Sequence, residues 1–135
     1  MASIHKEFEI QATSEAVWKA ICDIGNVHKT LVPGVLTDAR LDGDARVVTF
    51  ANGMAVRERI VDLDHTKRRF VYAAVEGGIT SHHNASWQLF DEGGTSTRFV
   101  WISDFLPDSA APQFQQLVDK GSDVMKRTLE TKGRT

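Results

Sequence analysis

The first part of the chain carries one strand pattern followed by a helix pattern. Apolar and charged residues largely alternate from Ile4 to Ile10, and this period of two predicts a half-buried β-strand. Thr13 then stands where its hydroxyl can cap a helix. The helix that follows has an apolar stripe at helical spacing, made of Val17, Trp18, Ile21 and Cys22. A second short helical segment is predicted at roughly 26–31, because glycine and proline residues flank it.

The middle of the chain reads as apolar runs separated by tight turns. Asn52-Gly53 is the strongest short hairpin signal, and Gly-rich turns follow at 76–78 and 91–95. The runs between the turns predict six antiparallel strands, at about 36–41, 45–51, 54–63, 68–76, 80–90 and 95–105.

After Pro107 the apolar period becomes that of a helix. The apolar stripe predicts one amphipathic helix from about Pro112 to Thr131, roughly 30 Å long. A seven-stranded antiparallel sheet must bury one face, and this helix is the large apolar partner that the sequence offers. We therefore predict an α+β fold of one domain, residues 1–135. Its curved sheet wraps around the C-terminal helix, two short helices follow the first strand, and an internal cavity separates the sheet from the long helix.

Composition narrows the choice of partners. The 135 residues carry a formal charge of −2, and the basic residues are scattered, so we expect no nucleic-acid partner. Cys22 is the one cysteine, which excludes an intrachain disulfide and a Cys-based zinc site. No apolar run is long enough to span a bilayer, and we expect a cytoplasmic protein.

Strand parity indicates which polar residues face inward. In the strand at 54–63, Val56 and Glu58 share one face while Arg57 and Arg59 share the other. Two arginines are more stable in water than against a helix, so Glu58 is expected on the inner wall, where a carboxylate must be paired, hydrogen-bonded or protonated. The alternatives are a register slip that turns Glu58 outward, or a purely structural hydrogen bond. Tyr72 is likewise predicted inward, either as a hydrogen-bond donor to a carbonyl or as core packing.

The adjacent histidines in SHHNASWQ face opposite ways by the same argument. His83 is in phase with Ala85 and Trp87 and is predicted to point inward, whereas His82 points to solvent. Two rings on opposite faces do not bind one metal ion, and we expect no metal and no cofactor. His83 is then either a hydrogen-bonded wall residue or a functional partner of Glu58 across the cavity.

Four local motifs in order resemble the START-like helix-grip superfamily, and within it the bacterial polyketide cyclase/dehydrase-like proteins. They are TSEAVWKAICDI, GMAVRERIVDLD, GGTSTRFVW and FLPD, and the resemblance covers essentially the whole chain. In the strand at 45–51, pattern alone leaves Val48 and Phe50 or Val47 and Thr49 as the inner set; the resemblance favours Phe50. It also implies that Glu58 orients a ligand and that His83 stands where relatives often carry a ligand-facing tyrosine. The expected ligand-contacting set is Phe50, Val56, Glu58, Tyr72, His83, Ala85, Trp87, Phe99, Trp101, Phe114, Leu117 and Val118.

Three functions fit this reading. The first is a carrier or binding protein for a mostly hydrophobic small molecule, polyketide-, lipid- or aromatic-like. The second is a cyclase, dehydratase or aldol-type enzyme with Glu58 or His83 as general acid/base and Tyr72 polarising a carbonyl. The third is a protein-interaction module, against which the polar outward set of the strand at 80–90 argues.

Overall fold

A computed structural model describes residues 2–132 of the chain. Strand β1 (Ala2–Ile10) leads into helix α1 (Ser14–Cys22), a 3-10 turn (Ile24–Asn26) and the short helix α2 (Val27–Thr30). Six strands follow: β2 (Leu36–Asp42), β3 (Ala45–Phe50), β4 (Ala55–Asp64), β5 (Arg69–Gly77), β6 (His82–Glu92) and β7 (Ser96–Leu106). A second 3-10 turn (Asp108–Ala110) precedes the long helix α3 (Ala111–Lys132).

The strands form one sheet in the order β1-β7-β6-β5-β4-β3-β2, and every neighbouring pair is antiparallel. The sheet is curved, and α3 lies against its concave face, so the predicted α+β helix-grip fold is confirmed. The register between β4 and β5 shifts between Arg57 and Glu58 and again between Ile60 and Asp62. Such bulges bend a strand and increase its local twist, which contributes to the curvature that surrounds α3.

Two local features hold the helices in place. Thr13 caps α1 as predicted, since its Oγ1 accepts a hydrogen bond of 3.2 Å from the backbone N–H of Ala16. In α3, Gly121 lies against Trp101, and a Cβ atom at Gly121 would stand 3.1 Å from the indole ring. The missing side chain therefore allows the middle of α3 to approach β7 closely. Within residues 2–132 no helix is both long and apolar enough to cross a membrane.

Candidate functional site

A cavity lies between the concave face of the sheet and α3, with side chains from β3 to β7 and from α3 in its wall. It has about 110 Å³ of space for the centres of water molecules. One water molecule needs about 10–15 Å³ on this measure, so the cavity has room for several waters or for a small organic molecule. The half-exposed lining residues Met54, Thr80 and Leu117 mark the end where the cavity approaches the surface.

Most of the residues predicted from the sequence line this cavity. They are Phe50, Val56, Glu58, Tyr72, His83, Trp87, Trp101, Phe114, Leu117 and Val118. On β3 it is thus Val48 and Phe50 that face inward, the alternative favoured by the resemblance. The same strand face also brings Arg46 to the cavity.

Two of the expected contact residues, Ala85 and Phe99, are fully buried but do not line the cavity. The ring of Phe99 stacks on Phe8 of β1, with 4.9 Å between ring centroids, and therefore fills the core beside that edge strand. Ala85 pairs with Tyr72 on one side and Ser103 on the other, and both of these larger neighbours line the cavity. Both side chains are buried, as inward parity predicts, but parity does not specify which part of the interior a side chain reaches.

Glu58 is buried beside a second charged residue, Arg46. Only 7% of the surface of Glu58 is exposed and 2% of that of Arg46. Arg46 Nε donates a hydrogen bond of 2.8 Å to Glu58 Oε1. The two residues face each other directly across β3 and β4, so the sheet register itself brings the opposite charges together. This pairing is what offsets the cost of placing a carboxylate on an apolar wall.

Three aromatic rings surround the guanidinium of Arg46. Its Cζ lies 5.2 Å from the ring centroid of Phe70, 5.3 Å from that of Tyr72 and 5.8 Å from that of Trp87. At these distances the negative faces of the rings attract the cation, and the attraction is stronger in a desolvated interior than at the surface. A long hydrogen bond of 3.5 Å from Nη1 to the carbonyl of Ile24 completes the surroundings of this side chain.

Several polar atoms on the cavity wall retain hydrogen-bonding capacity. Within residues 2–132, Arg46 Nη2, Glu58 Oε2 and the Tyr72 hydroxyl have no hydrogen-bond partner. Burial, with a smaller contribution from the negative charge of Glu58, raises the pKa of Tyr72 far above its ordinary value. Tyr72 therefore stays protonated and can donate its hydroxyl hydrogen to a ligand.

His83 is held against aromatic side chains. Its ring centroid lies 4.7 Å from that of Phe114 and 6.1 Å from that of Tyr72. Desolvation, and secondarily the neighbouring His82, lowers the pKa of His83 to about 4, so the ring is neutral at pH 7. Its Nε2 is buried and has no hydrogen-bond partner in the described part of the chain, and a buried nitrogen in that state is stabilised when a partner is supplied.

The expected link between His83 and Glu58 is not formed. Both residues line the cavity, but within residues 2–132 the carboxylate hydrogen-bonds Arg46, and neither a hydrogen bond nor an ion pair joins it to His83. The adjacent His82 is exposed, and its Nε2 lies 2.8 Å from Asn84 Oδ1. Over the described residues, no three His, Cys, Asp or Glu side chains form a group able to hold a metal ion.

Arg46 is the site residue that sequence reasoning missed. The signal was present, since Arg46 is in phase with Val48 and Phe50 in the sequence ARVVTF. Choosing Phe50 for the inner wall therefore also placed Arg46 there. An arginine side chain is ordinarily more stable in water than inside a protein. The carboxylate of Glu58 on the neighbouring strand supplies the partner that stabilises Arg46 in the interior.

Solved structures with little sequence identity share this fold. The protein XoxI from Bacillus cereus is 17% identical with a TM-score of 0.86, over 96% of this chain and 96% of its own. The Zhui aromatase/cyclase from a Streptomyces species is 17% identical with a TM-score of 0.77, over 98% of this chain and 93% of its own. A START superfamily protein from Mycobacterium smegmatis is 10% identical with a TM-score of 0.75, over 98% of this chain and 97% of its own.

Sequence comparison adds the family. No curated protein matches the chain. The family described as polyketide cyclase / dehydrase and lipid transport matches residues 1–130, which include all seven strands and nearly all of α3. With the helix-grip fold and the cavity described above, this match confirms the resemblance seen in the four motifs. The chain belongs to the polyketide cyclase / dehydrase and lipid transport family.

Proposed function

We propose that the protein binds a mostly apolar small molecule, polyketide-, lipid- or aromatic-like, in the cavity between sheet and α3, and acts as its carrier. The observation that carries the proposal is the wall of this cavity. Aliphatic and aromatic side chains form most of it, and a few polar groups converge on one region, chiefly Arg46, Glu58, Tyr72 and His83. Sites for small organic ligands have this composition, because apolar area supplies affinity while a few polar groups fix orientation.

The family supports this proposal, since its description joins cyclase and dehydrase activity with lipid transport. Lipids are largely apolar, and the mostly apolar wall of the cavity suits a molecule of that kind. The Tyr72 hydroxyl and His83 Nε2 support it further, because neither has a hydrogen-bond partner among residues 2–132 and each can form a hydrogen bond with a ligand.

The test is a fluorescence titration with naphthylmethanol, an uncharged bicyclic alcohol. Three proteins are compared: wild type, Leu117→Trp and Gln116→Trp. Leu117 lines the cavity, so an indole at that position fills part of the space and is expected to weaken binding by about tenfold or more. Gln116 directly precedes Leu117 on the same helix and is exposed, so its substitution is expected to leave the dissociation constant unchanged.

Circular dichroism establishes that each variant retains its fold before affinities are compared. Equal affinity in all three proteins would place the probe outside the cavity and contradict the proposal. Absence of any binding to wild type, for naphthylmethanol and for longer apolar alcohols, would also contradict it.

A cyclase, dehydratase or aldol-type enzyme is the second candidate. The observation that favours it is the edge contact of the neutral His83 ring with the Tyr72 ring in one cavity, since a tyrosine hydroxyl can hold a carbonyl and an imidazole can exchange a proton with the substrate. Glu58→Gln and His83→Ala separate the two functions when affinity and turnover of a model aldol substrate are measured in parallel. Turnover lost with affinity retained supports the enzyme, whereas affinity lost without turnover in wild type supports the carrier.

A further inference from the structure

The charges around the cavity balance. Among the described residues, Arg46 and Glu58 are the lining side chains that carry a charge at pH 7. Tyr72 stays protonated and His83 stays neutral, for the reasons of burial given above. The cavity therefore contains one positive and one negative group, hydrogen-bonded to each other, and its net charge is zero.

The pair is held in a fixed arrangement. Arg46 is 2% exposed, with three aromatic rings about its guanidinium, and its Nε is occupied by Glu58. Separating the two groups would leave a buried charge without compensation, and that state is strongly disfavoured. A ligand consequently interacts with the intact ion pair and does not displace either residue from it.

An ionised ligand is disfavoured by this ion pair whichever sign it carries. A carboxylate that approaches Arg46 also approaches Glu58, and an ammonium group that approaches Glu58 also approaches Arg46. In both cases the charged group of the ligand loses its hydration. Its attraction to the opposite charge of the pair is largely cancelled by repulsion from the like charge, which lies at a similar distance. No other lining side chain within residues 2–132 supplies a charge that would compensate.

An uncharged ligand uses the same ion pair well. Among the described residues, Arg46 Nη2 is a donor and Glu58 Oε2 an acceptor without a hydrogen-bond partner, and the Tyr72 hydroxyl adds a further donor on the next strand. A molecule with a carbonyl oxygen near a hydroxyl group, or a phenol, supplies an acceptor and a donor together. Hydrogen bonds to charged partners are roughly twice as strong as those between neutral groups, so a neutral ligand gains affinity from the pair.

We infer that Arg46 is the specificity-determining residue of this cavity: by neutralising Glu58 it selects an uncharged ligand with adjacent hydrogen-bond donor and acceptor groups, and it excludes fatty acids, other carboxylates and amines. This inference rests on the proposed function, because it presupposes that a small molecule binds between the sheet and α3. It assigns to Arg46 a role separate from that of Glu58 as a ligand-orienting group.

The experiment changes the charge of the cavity and of the probe independently. Naphthylmethanol, naphthoate and naphthylmethylammonium share one ring system and differ in charge. Each is titrated at pH 7 into wild type, into Glu58→Gln, whose cavity carries one net positive charge, and into the double variant Arg46→Met/Glu58→Gln, whose cavity is neutral again.

Wild type is expected to bind naphthylmethanol about tenfold or more tightly than either ion. In Glu58→Gln the preference reverses toward naphthoate, because Arg46 is then an unpaired cation, and the ratio of the two dissociation constants changes by about tenfold or more. In the double variant the preference for the neutral probe returns. Three proteins with the same ranking of probes would overturn the inference, as would wild type that binds naphthoate as tightly as the alcohol.

If Glu58→Gln fails to fold, Arg46→Met takes its place. Its cavity carries one net negative charge, so the preference is expected to reverse toward naphthylmethylammonium, and a retained preference for the alcohol in this variant would overturn the inference. Failure of the proposed function gives a different result, namely that none of the three probes binds wild type. Binding of all three probes without discrimination leaves the proposed function standing and overturns the role of Arg46.

Discussion

Arg46 and Glu58 illustrate how two charged side chains become stable inside an apolar wall. Neither position would tolerate its residue alone, because an isolated buried charge loses its hydration without compensation. The 2.8 Å hydrogen bond between them and the rings of Phe70, Tyr72 and Trp87 supply that compensation. The burial of each residue therefore depends on the presence of the other. The polar chemistry of the cavity follows from this pair.

Truncation of Arg46 tests this dependence. We expect Arg46→Ala to lower the free energy of unfolding by about 3 kcal/mol or more, because Glu58 is then a buried charge without a partner. Arg59→Ala is the matched control, since Arg59 pairs with Asp44 at 3.3 Å while its side chain is 55% exposed. Urea denaturation is expected to show a several-fold smaller effect for the control. Equal losses in the two variants would contradict a special role for the buried pair.

His83 makes stability depend on pH in a defined direction. Its pKa is about 4 in the folded protein and about 6.5 in an unfolded chain, so below pH 6.5 the unfolded state takes up a proton that the folded state does not. The contribution of this residue is fully present above about pH 6.5 and is lost as the pH falls toward about 4, by up to about 3 kcal/mol.

The measurement is the free energy of unfolding of wild type and of His83→Gln between pH 7 and pH 4. The variant is expected to show the weaker pH dependence, because a glutamine does not titrate. His82→Gln serves as the control: His82 is exposed and influences His83 as the second cause of its shift, so most of the slope should remain. Identical slopes in wild type and His83→Gln would show that the His83 ring does not stay neutral.

At the scale of elements, α3 and β7 pack closely where Gly121 lies against Trp101. Gly121 occurs in the middle of a helix, where glycine costs about 1 kcal/mol relative to alanine. Glycine is accommodated here because a Cβ atom at position 121 would lie 3.1 Å from the ring of Trp101, closer than most such contacts. That ring is fixed by a hydrogen bond of 3.1 Å from its Nε1 to Ser103 Oγ and by an edge contact with Trp87, so it cannot easily give way.

Gly121→Val is therefore expected to destabilise the protein by about 1–3 kcal/mol, the usual cost of overpacking a well-filled interior. The matched control is Lys120→Val, which places the same side chain at the exposed preceding position of α3. Thermal unfolding followed by circular dichroism compares the two variants. A larger loss in the control than in Gly121→Val would mean that helix propensity, and not the contact with Trp101, governs this position.

At the scale of the whole molecule, the sheet and α3 depend on each other. The concave face of the sheet presents large apolar side chains, and α3 contributes Phe114, Val118 and Met125 to the same core. A curved sheet holding one helix leaves space between them, and the cavity is that space. The binding site is accordingly a property of the complete fold and of no single element.

Removal of α3 is expected to abolish cooperative folding. A chain that ends at Leu106 exposes the inner wall to water, and a sheet with one apolar face uncovered is prone to aggregate. Near-ultraviolet circular dichroism should show loss of the fixed aromatic environment, measured against the full-length protein under the same conditions. A shortened chain that still unfolds in one sharp transition would contradict this account.

The fold was largely predictable from periodicity. The seven strands, the capped helix α1 and the long helix α3 follow from alternation, turn residues and helical spacing, which are local properties of the chain. Within the site, parity predicted the inward positions of Glu58, Tyr72 and His83, for the same local reason. It did not predict that Ala85 and Phe99 are buried without lining the cavity. Whether an inward side chain reaches the cavity depends on the size of its neighbours on other strands.

The amino-acid sequence by itself determined which elements form, in which order, and which face of each strand is apolar. The tertiary structure alone decided which side chains contact one another on that face. Arg46 and Glu58 are 12 residues apart in the chain and become neighbours through the register of β3 and β4. His83 Nε2, on β6, has no hydrogen-bond partner within residues 2–132, and its distance from Glu58 is likewise set by the arrangement of the whole sheet. The cavity belongs to the same level, since it arises from how the curved sheet and α3 fit together.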